Sequence, residues 1–129
     1  MSRILLIGAG GQLGQELRRS LPPLGQLVPV DRSRVDLTDT GALDALIRQV
    51  MPHTIVNAAA YTAVDRAEQE PELAVAVNAT APAVMARTAH AIGATLVHFS
   101  TDYVFDGSRS SPYTEAAATA PIGVYGQSK

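Results

Sequence analysis

An α/β fold built on a parallel sheet is what this 129-residue sequence predicts, and three observations carry the prediction. Short continuous apolar runs alternate with stretches of helical periodicity, which is how successive βαβ units read. A glycine-rich turn joins the first apolar run to the first helical stretch. Aromatic residues make up only 5% of the chain, with no Trp, so Ala, Val, Leu and Ile must fill the core, as suits helices laid on a parallel sheet.

Each element follows from local chemistry. Arg3-Ile-Leu-Leu-Ile7 reads as a strand buried on both faces and ends at Gly8. Gln12 to Leu21 is a helix with Leu13, Leu17 and Leu21 on one face, closed by Pro22, Pro23 and Gly25. Leu27 to Val30 is a second strand, ending at Asp31. Thr40 is placed to cap a helix through Leu43, Leu46, Ile47 and Val50, stopped before Pro52. Thr54-Ile-Val56 is a third strand. Val64 to Gln69 is a short helical piece, and Pro71 suits the first position of another. Thr80 is expected to cap a new helix, with Pro82 near its start, running to Ile92 and ended by Gly93. Thr95 to Phe99 is a fourth strand, and Gly107 to Pro121 a loop. Right-handed crossovers then favour a doubly wound sheet with strand order 3-2-1-4.

Composition narrows the function classes. The length suits one domain with a buried core. Ten basic against twelve acidic side chains give a net charge of -2, without the basic stripe of a nucleic-acid partner or a polybasic membrane segment. The absence of Cys excludes disulfides and thiolate metal sites, and no metal site is expected. The apolar start from Ile4 to Ile7 is too short for a signal peptide, and no run approaches a membrane span. A cytoplasmic protein is expected.

Gly8-Ala-Gly-Gly-Gln-Leu-Gly14 lies between the first strand and first helix. Gly8 permits a tight turn, Gly11 lets the backbone approach a pyrophosphate, and Gly14 lets helix and sheet pack closely, as in Rossmann-like nucleotide-binding folds. The helix N-terminus adds N–H groups and a positive dipole end. Asp31, at the end of the second strand, suits the adenine ribose of NAD. Arg32 and Arg34 are close enough to meet a 2′-phosphate, so NADPH and NADH both stay open. Tyr125-Gly-Gln-Ser-Lys129 puts a phenol and an ammonium four positions apart, on one face of a helix. A free Tyr is too weak an acid for work at neutral pH, and a neighbouring cation stabilises its phenolate. Ser100-Thr101 leave the carboxyl end of the fourth strand, where open α/β sheets bind ligands.

These segments resemble the extended short-chain dehydrogenase/reductase family. The resemblance rests on the glycine loop with Gln12, Val56-Asn-Ala-Ala-Ala-Tyr-Thr-Ala-Val-Asp65 with Ala67-Glu68, Glu70-Pro-Glu-Leu73, Asn78-Ala79, Ser100 to Phe105, and Val124-Tyr-Gly126 with Lys129. It implies NAD(P)H-dependent reduction of a dTDP-linked keto sugar, with Thr101, Tyr125 and Lys129 catalytic. Tyr125 would protonate the C4 oxygen, Lys129 would hold the nicotinamide ribose, and Thr101 and Asp102 would meet the sugar. Gly11, Gln12 and Leu13 would meet the pyrophosphate, with Gly8 and Gly14 completing the cofactor-binding loop, Asp31, Asp36 and Leu37 would lie around the adenosine, and Ala60, Tyr61 and Thr62 would line the cofactor's middle and nicotinamide side. A homodimer of the full-length enzyme is compatible with the resemblance. A sugar-nucleotide epimerase or dehydratase of the same family, or a non-catalytic nucleotide-binding subunit, remain alternatives.

Family members run to more than twice this length. Residues 1–129 are therefore expected to be an NAD(P)-binding domain without its later strands and substrate domain, inactive alone. Pro121, Gly123 and Gly126 make the Tyr/Lys stretch a poor helix former, so it is expected not to hold its own geometry, since an isolated helix needs roughly 12–15 residues.

Overall fold

In the computed structural model, which describes residues 1–129, four strands form one parallel sheet. They are β1 (Arg3–Ile7), β2 (Gln26–Val30), β3 (Thr54–Asn57) and β4 (Thr95–His98), in the order β2-β1-β3-β4. The Rossmann-like parallel sheet is as expected, but the order 3-2-1-4 is not. β3 pairs with β1 and does not lie outside β2.

Pro29 supplies the physical reason. Val30 O accepts from Gly8 N and Ala9 N, and Gln26 N donates to Ser2 O. Alternation along a strand then turns Gln26, Val28 and Val30 toward β1, and Leu27 and Pro29 outward. An outer neighbour would need a backbone donor at position 29, and proline has none, so β2 is an edge.

The chain thus goes from β1 to β2, then crosses back over β1 to β3 and on to β4. Right-handed crossovers run in opposite directions put their helices on opposite faces. Helix α1 (Gln12–Ser20) accordingly packs Leu17, with Leu21 just beyond its end, on Ile4, Leu6 and Val56. Helices α2 (Thr40–Val50) and α5 (Ala81–Ile92) cover the other face, where Leu43, Ile47 and Met85 meet Leu5, Ile7 and Ile55. Leu13 departs from the expected α1 stripe: it is 41% exposed, at the mouth of the glycine loop. The cap of α2 is Asp39 rather than Thr40, its side chain accepting from Ala42 N at 3.0 Å. The helix ends at Met51, in the left-handed region at φ 48°.

Thr80 does not cap a new helix. Short α3 (Val64–Ala67) is followed by α4 (Pro71–Val75), a π-helical turn (Ala76–Thr80) and α5, with Val75, Thr80 and Ala81 all helical. The ring of Pro82 has no N–H and would press on the carbonyl of Asn78, four residues back. The widened turn, in which Ala81 N donates to Ala76 O, accommodates the proline and lets the helix continue.

On the outer surface, Thr88 Oγ1 of α5 donates to Asp44 Oδ1 of α2 at 2.6 Å, and Arg48 pairs with the other oxygen at 2.9 Å. The Thr88 bond, then Arg48, holds the Asp44 carboxyl below its ordinary 3.8. A carboxylate depressed in the folded state adds stability above its unfolded value and loses it as pH falls through the folded one. Asp44→Ala is expected to lower the melting temperature by a few degrees at neutral pH. That gap should narrow as the pH drops below 3.8; thermal melts showing a constant gap across the acid range would contradict the linkage.

Candidate functional site

The four loop glycines divide by what surrounds them. Gly8 has φ +81°, and a Cβ there would lie 2.5 Å from Ala59 N. A Cβ on Gly14 would overlap Gly8 O. These two are glycine because the fold leaves no room. Gly10 and Gly11 differ. Their nearest neighbours, at 3.7 Å and 3.6 Å, are Asp31 Cβ and Gly8 O, an ordinary contact distance. Nothing in the fold demands glycine at these two, whereas a ligand backed against the loop would. Gly11 is also the N-cap of α1 and has no side chain to cap it, so the first-turn N–H groups are not spent on a side-chain cap.

A cleft of about 860 Å³ opens from this loop, at the carboxyl ends of β1 and β3, where the crossovers diverge. Open α/β sheets bind ligands at that kind of switch point. Gly8 and Gly11 lie along it, as do Asp31, Asp36 and Leu37 after β2, and Ala60 and Tyr61 after β3, with Leu73 and Val77 opposite. Gln12, Leu13, Gly14 and Thr62 do not line it, nor do Thr101, Asp102, Tyr125 and Lys129. Asp31 Oδ1 accepts from Ser33 N and Oγ, and Asp36 Oδ1 from Thr38 N and Oγ1, at 2.6–2.9 Å. Those side-chain hydroxyl bonds hold both carboxyls below their ordinary range. Each Oδ2 is left without a protein partner. Arg32 also lines the cleft.

Of the expected catalytic residues, Tyr125 adjoins the cleft wall through Tyr61. Helix α6 (Val124–Ser128) does hold its turn, contrary to expectation. Tertiary contacts make up for poor propensity: Val124 N donates to Glu68 Oε1 at 2.8 Å, and Ser128 Oγ takes a bond from Asn78 Nδ2 at 3.0 Å and gives one to Tyr125 O at 2.7 Å. Gly126 packs against Tyr103 O with no room for a Cβ. Tyr125 is 8% exposed and clusters with Ala67 and Ala74, while Tyr61 and Val64 pack against the group. The Tyr103 ring meets it edge-on at 5.4 Å. Lys129 Nζ donates to Phe99 O at 2.8 Å, and burial draws its ammonium below the usual lysine range. Thr101 Oγ1 accepts from Tyr103 N at 3.3 Å and so starts the turn Asp102–Val104, while Asp102 is exposed.

Tyr61 belongs to both regions. It lines the cleft, packs beside Tyr125, and donates its phenol to Glu70 Oε2 at 2.7 Å. Burial first, and the Glu70 acceptor second, raise its phenol above the ordinary value. Its backbone is gripped by Asn78, whose Oδ1 accepts from Tyr61 N at 2.8 Å and whose Nδ2 donates to Tyr61 O at 2.9 Å.

Four supporting residues were not assigned roles from sequence: Asn57, Glu68, Asn78 and His98. Asn57 Oδ1 accepts from Ala59 N, so its amide nitrogen must be the donor toward His98 Nδ1, at 3.1 Å. The imidazole proton therefore sits on Nε2. Burial, and then the charge of Lys129, draw His98 below the usual imidazole range. The available signals were polar residues inside apolar stretches: Asn57 closing a buried strand, and Asn78 four before a mid-helix proline.

Comparison with known proteins agrees with this geometry. The chain is 49% identical to a dTDP-4-dehydrorhamnose reductase of Burkholderia thailandensis over 98% of its own length, and spans 43% of that protein. A solved dTDP-4-dehydrorhamnose reductase from Bacillus anthracis, in complex with NADP, superposes with a TM-score of 0.93 at 40% identity, over 99% of this chain and 46% of that one. A Thermus thermophilus UDP-glucose 4-epimerase in complex with NAD shares the fold, with a TM-score of 0.87 at 22% identity, over 98% of this chain and 47% of that one. The family model described as the RmlD substrate binding domain matches residues 1–129, and the chain belongs to that family.

Proposed function

We propose that residues 1–129 are the NAD(P)-binding domain of a cytoplasmic enzyme that reduces dTDP-4-dehydro-6-deoxy-L-mannose to dTDP-L-rhamnose in nucleotide-sugar biosynthesis. The observation that carries this reading is the pair Gly10 and Gly11, glycines for which the protein leaves room and a pyrophosphate would not. The cleft fits an extended dinucleotide: glycine floor, Asp31 and Asp36 at one end, Tyr61 at the other. The choice of sugar nucleotide rests on likeness to the Burkholderia reductase. Turnover and any homodimer belong in this reading to the whole reductase.

When bound, NADPH or NADH supplies the hydride. Gly11, with the first turn of α1 at Gln12 and Leu13, would receive the pyrophosphate, and Gly14 would keep that turn close to the sheet. Asp31, Asp36 and Leu37 hold the adenosine, with Arg32 able to meet a 2′-phosphate. Ala60 and Tyr61 would wall the nicotinamide side, with Thr62 just beyond the cleft. Tyr125 Oη passes its proton to the C4 oxygen of the sugar as C4 accepts hydride, so the ketone becomes a secondary alcohol. Lys129 offsets the negative charge left on that phenol and holds the nicotinamide ribose. Thr101 orients the reacting oxygen, and Asp102 contacts the sugar. Burial of Tyr125 keeps water from competing for its proton.

Two substitutions separate binding from chemistry. Gly11→Val is expected to weaken dinucleotide binding at least tenfold, or more than about 1.4 kcal/mol, in a protein that still folds. Gly14→Ala should instead destabilise the fold itself by about 2 kcal/mol or more. Calorimetric titration giving Gly11→Val wild-type affinity would remove the pyrophosphate from the loop. Tyr125→Phe in the full reductase should abolish loss of reduced-nicotinamide absorbance with the keto-sugar nucleotide while dinucleotide affinity stays. Equal losses of rate and affinity would count against its role as proton donor.

A further inference from the structure

We propose that Glu68 is a positioning residue for the catalytic helix: its carboxylate caps α6 from across the fold and sets where Tyr125 and Lys129 stand against the cleft wall. For its link to reaction rate, the inference rests on the reading of the reaction given above.

Helix α6 begins at Gly123, which has no side chain to serve as its cap. The cap comes from Glu68, 56 positions away, whose Oε1 accepts from Val124 N at 2.8 Å. A Cβ on Gly123 would lie 3.2 Å from that same oxygen. A side chain there would crowd the carboxylate by a few tenths of an ångström, and glycine admits the longer reach without that adjustment. Glu68 takes part in no salt bridge, and Val124 is its side chain's one hydrogen-bond partner.

Its anchorage gives the bond a direction. Glu68 ends α3, which follows directly on the cleft-wall residues Ala60 and Tyr61. Ala67, beside it, is fully buried in the cluster that holds Tyr125. Gly123 at its cap and Gly126 within it make the first turn of α6 a weak helix former, so that turn follows whatever grips it. Asn78 grips Ser128, one turn further on. Glu68 grips the near end, one residue before Tyr125. Moving that grip by a fraction of an ångström shifts the phenol, and small misplacements at a reacting centre cost rate more than binding.

A cap that merely stabilises a helix and a cap that places it can be told apart. Gly123 has φ -117° and ψ 164°, the extended conformation of an N-cap serine. In Glu68→Ala the space is free, so Gly123→Ser can supply a local cap. In the full reductase, Glu68→Ala is expected to lower kcat at least about tenfold while dinucleotide affinity changes by less than about twofold. Glu68→Gln, whose amide oxygen still accepts from Val124 N, should recover most of the rate. The double variant Glu68→Ala/Gly123→Ser should regain the melting temperature but not kcat. A wild-type kcat in Glu68→Ala, or one restored in the double variant along with stability, overturns the placement role. If Glu68→Ala does not fold, the double variant decides by the same criterion. A wild-type reductase that never reduces the keto-sugar nucleotide defeats the proposed reaction instead. Amide hydrogen exchange in the present chain then decides the capping itself: Val124 should be protected in the wild type and fast in Glu68→Ala, and equal protection overturns it.

Discussion

The backbone of Gly8 passes so close to Ala59 that no side chain fits between them. This is where the chain leaving β1 and the chain leaving β3 run side by side, and the functional geometry hangs from it. Ala58 N donates to Ile7 O at 2.8 Å, while Gly8 N and Ala9 N share Val30 O, so three strand exits are tied within a few residues. The tie holds the glycine loop over the end of the sheet. It also fixes Ala60 and Tyr61 as the facing wall and leaves the cleft between. A larger residue at position 8 would separate the strands that define the site, a greater loss than a strained turn.

Buried amides carry that order outward. Asn57 ties the β3 exit to His98 on β4, and Asn78 ties Tyr61 to Ser128 on α6. Each side chain bonds with both its oxygen and its nitrogen, and no buried side-chain N or O atom lacks a partner. Satisfied networks of this kind favour one arrangement, because any other leaves an unpaired polar group in low dielectric. Asn78 lies in the π-helical turn, where helical bonding is already irregular because Pro82 follows. The break in the helix ladder and the contact between cleft wall and α6 thus coincide, as π-turns often do at functional sites.

The electrostatics of the site are mild and local. The hydroxyl and backbone bonds of their own turns lower the Asp31 and Asp36 carboxyls most, with smaller help from the charges of Arg18 and Arg32. Lys129 and His98 are both drawn down by burial, and His98 stays neutral beside the lysine, with its proton directed away from Asn57.

Much of this was legible from sequence because it is local. The apolar runs marked all four strands, the glycine spacing marked the turn that floors the cleft, and Pro71 and Gly93 sit where proline and glycine bound helices. The strand order was in principle legible too, since Pro29 bars a neighbour outside β2, but only once the direction in which it points is known. What tertiary structure alone decided is non-local. The continuation of the helix through Thr80 depends on a widened turn that propensity does not encode. Helix α6 persists with Gly123 at its cap and Gly126 within it because Glu68 and Asn78 hold it from 56 and 50 positions away in the chain. Local sequence sets what each segment can do at low cost, whereas these contacts exist only after the sheet has brought distant segments together, so no window of sequence contains them.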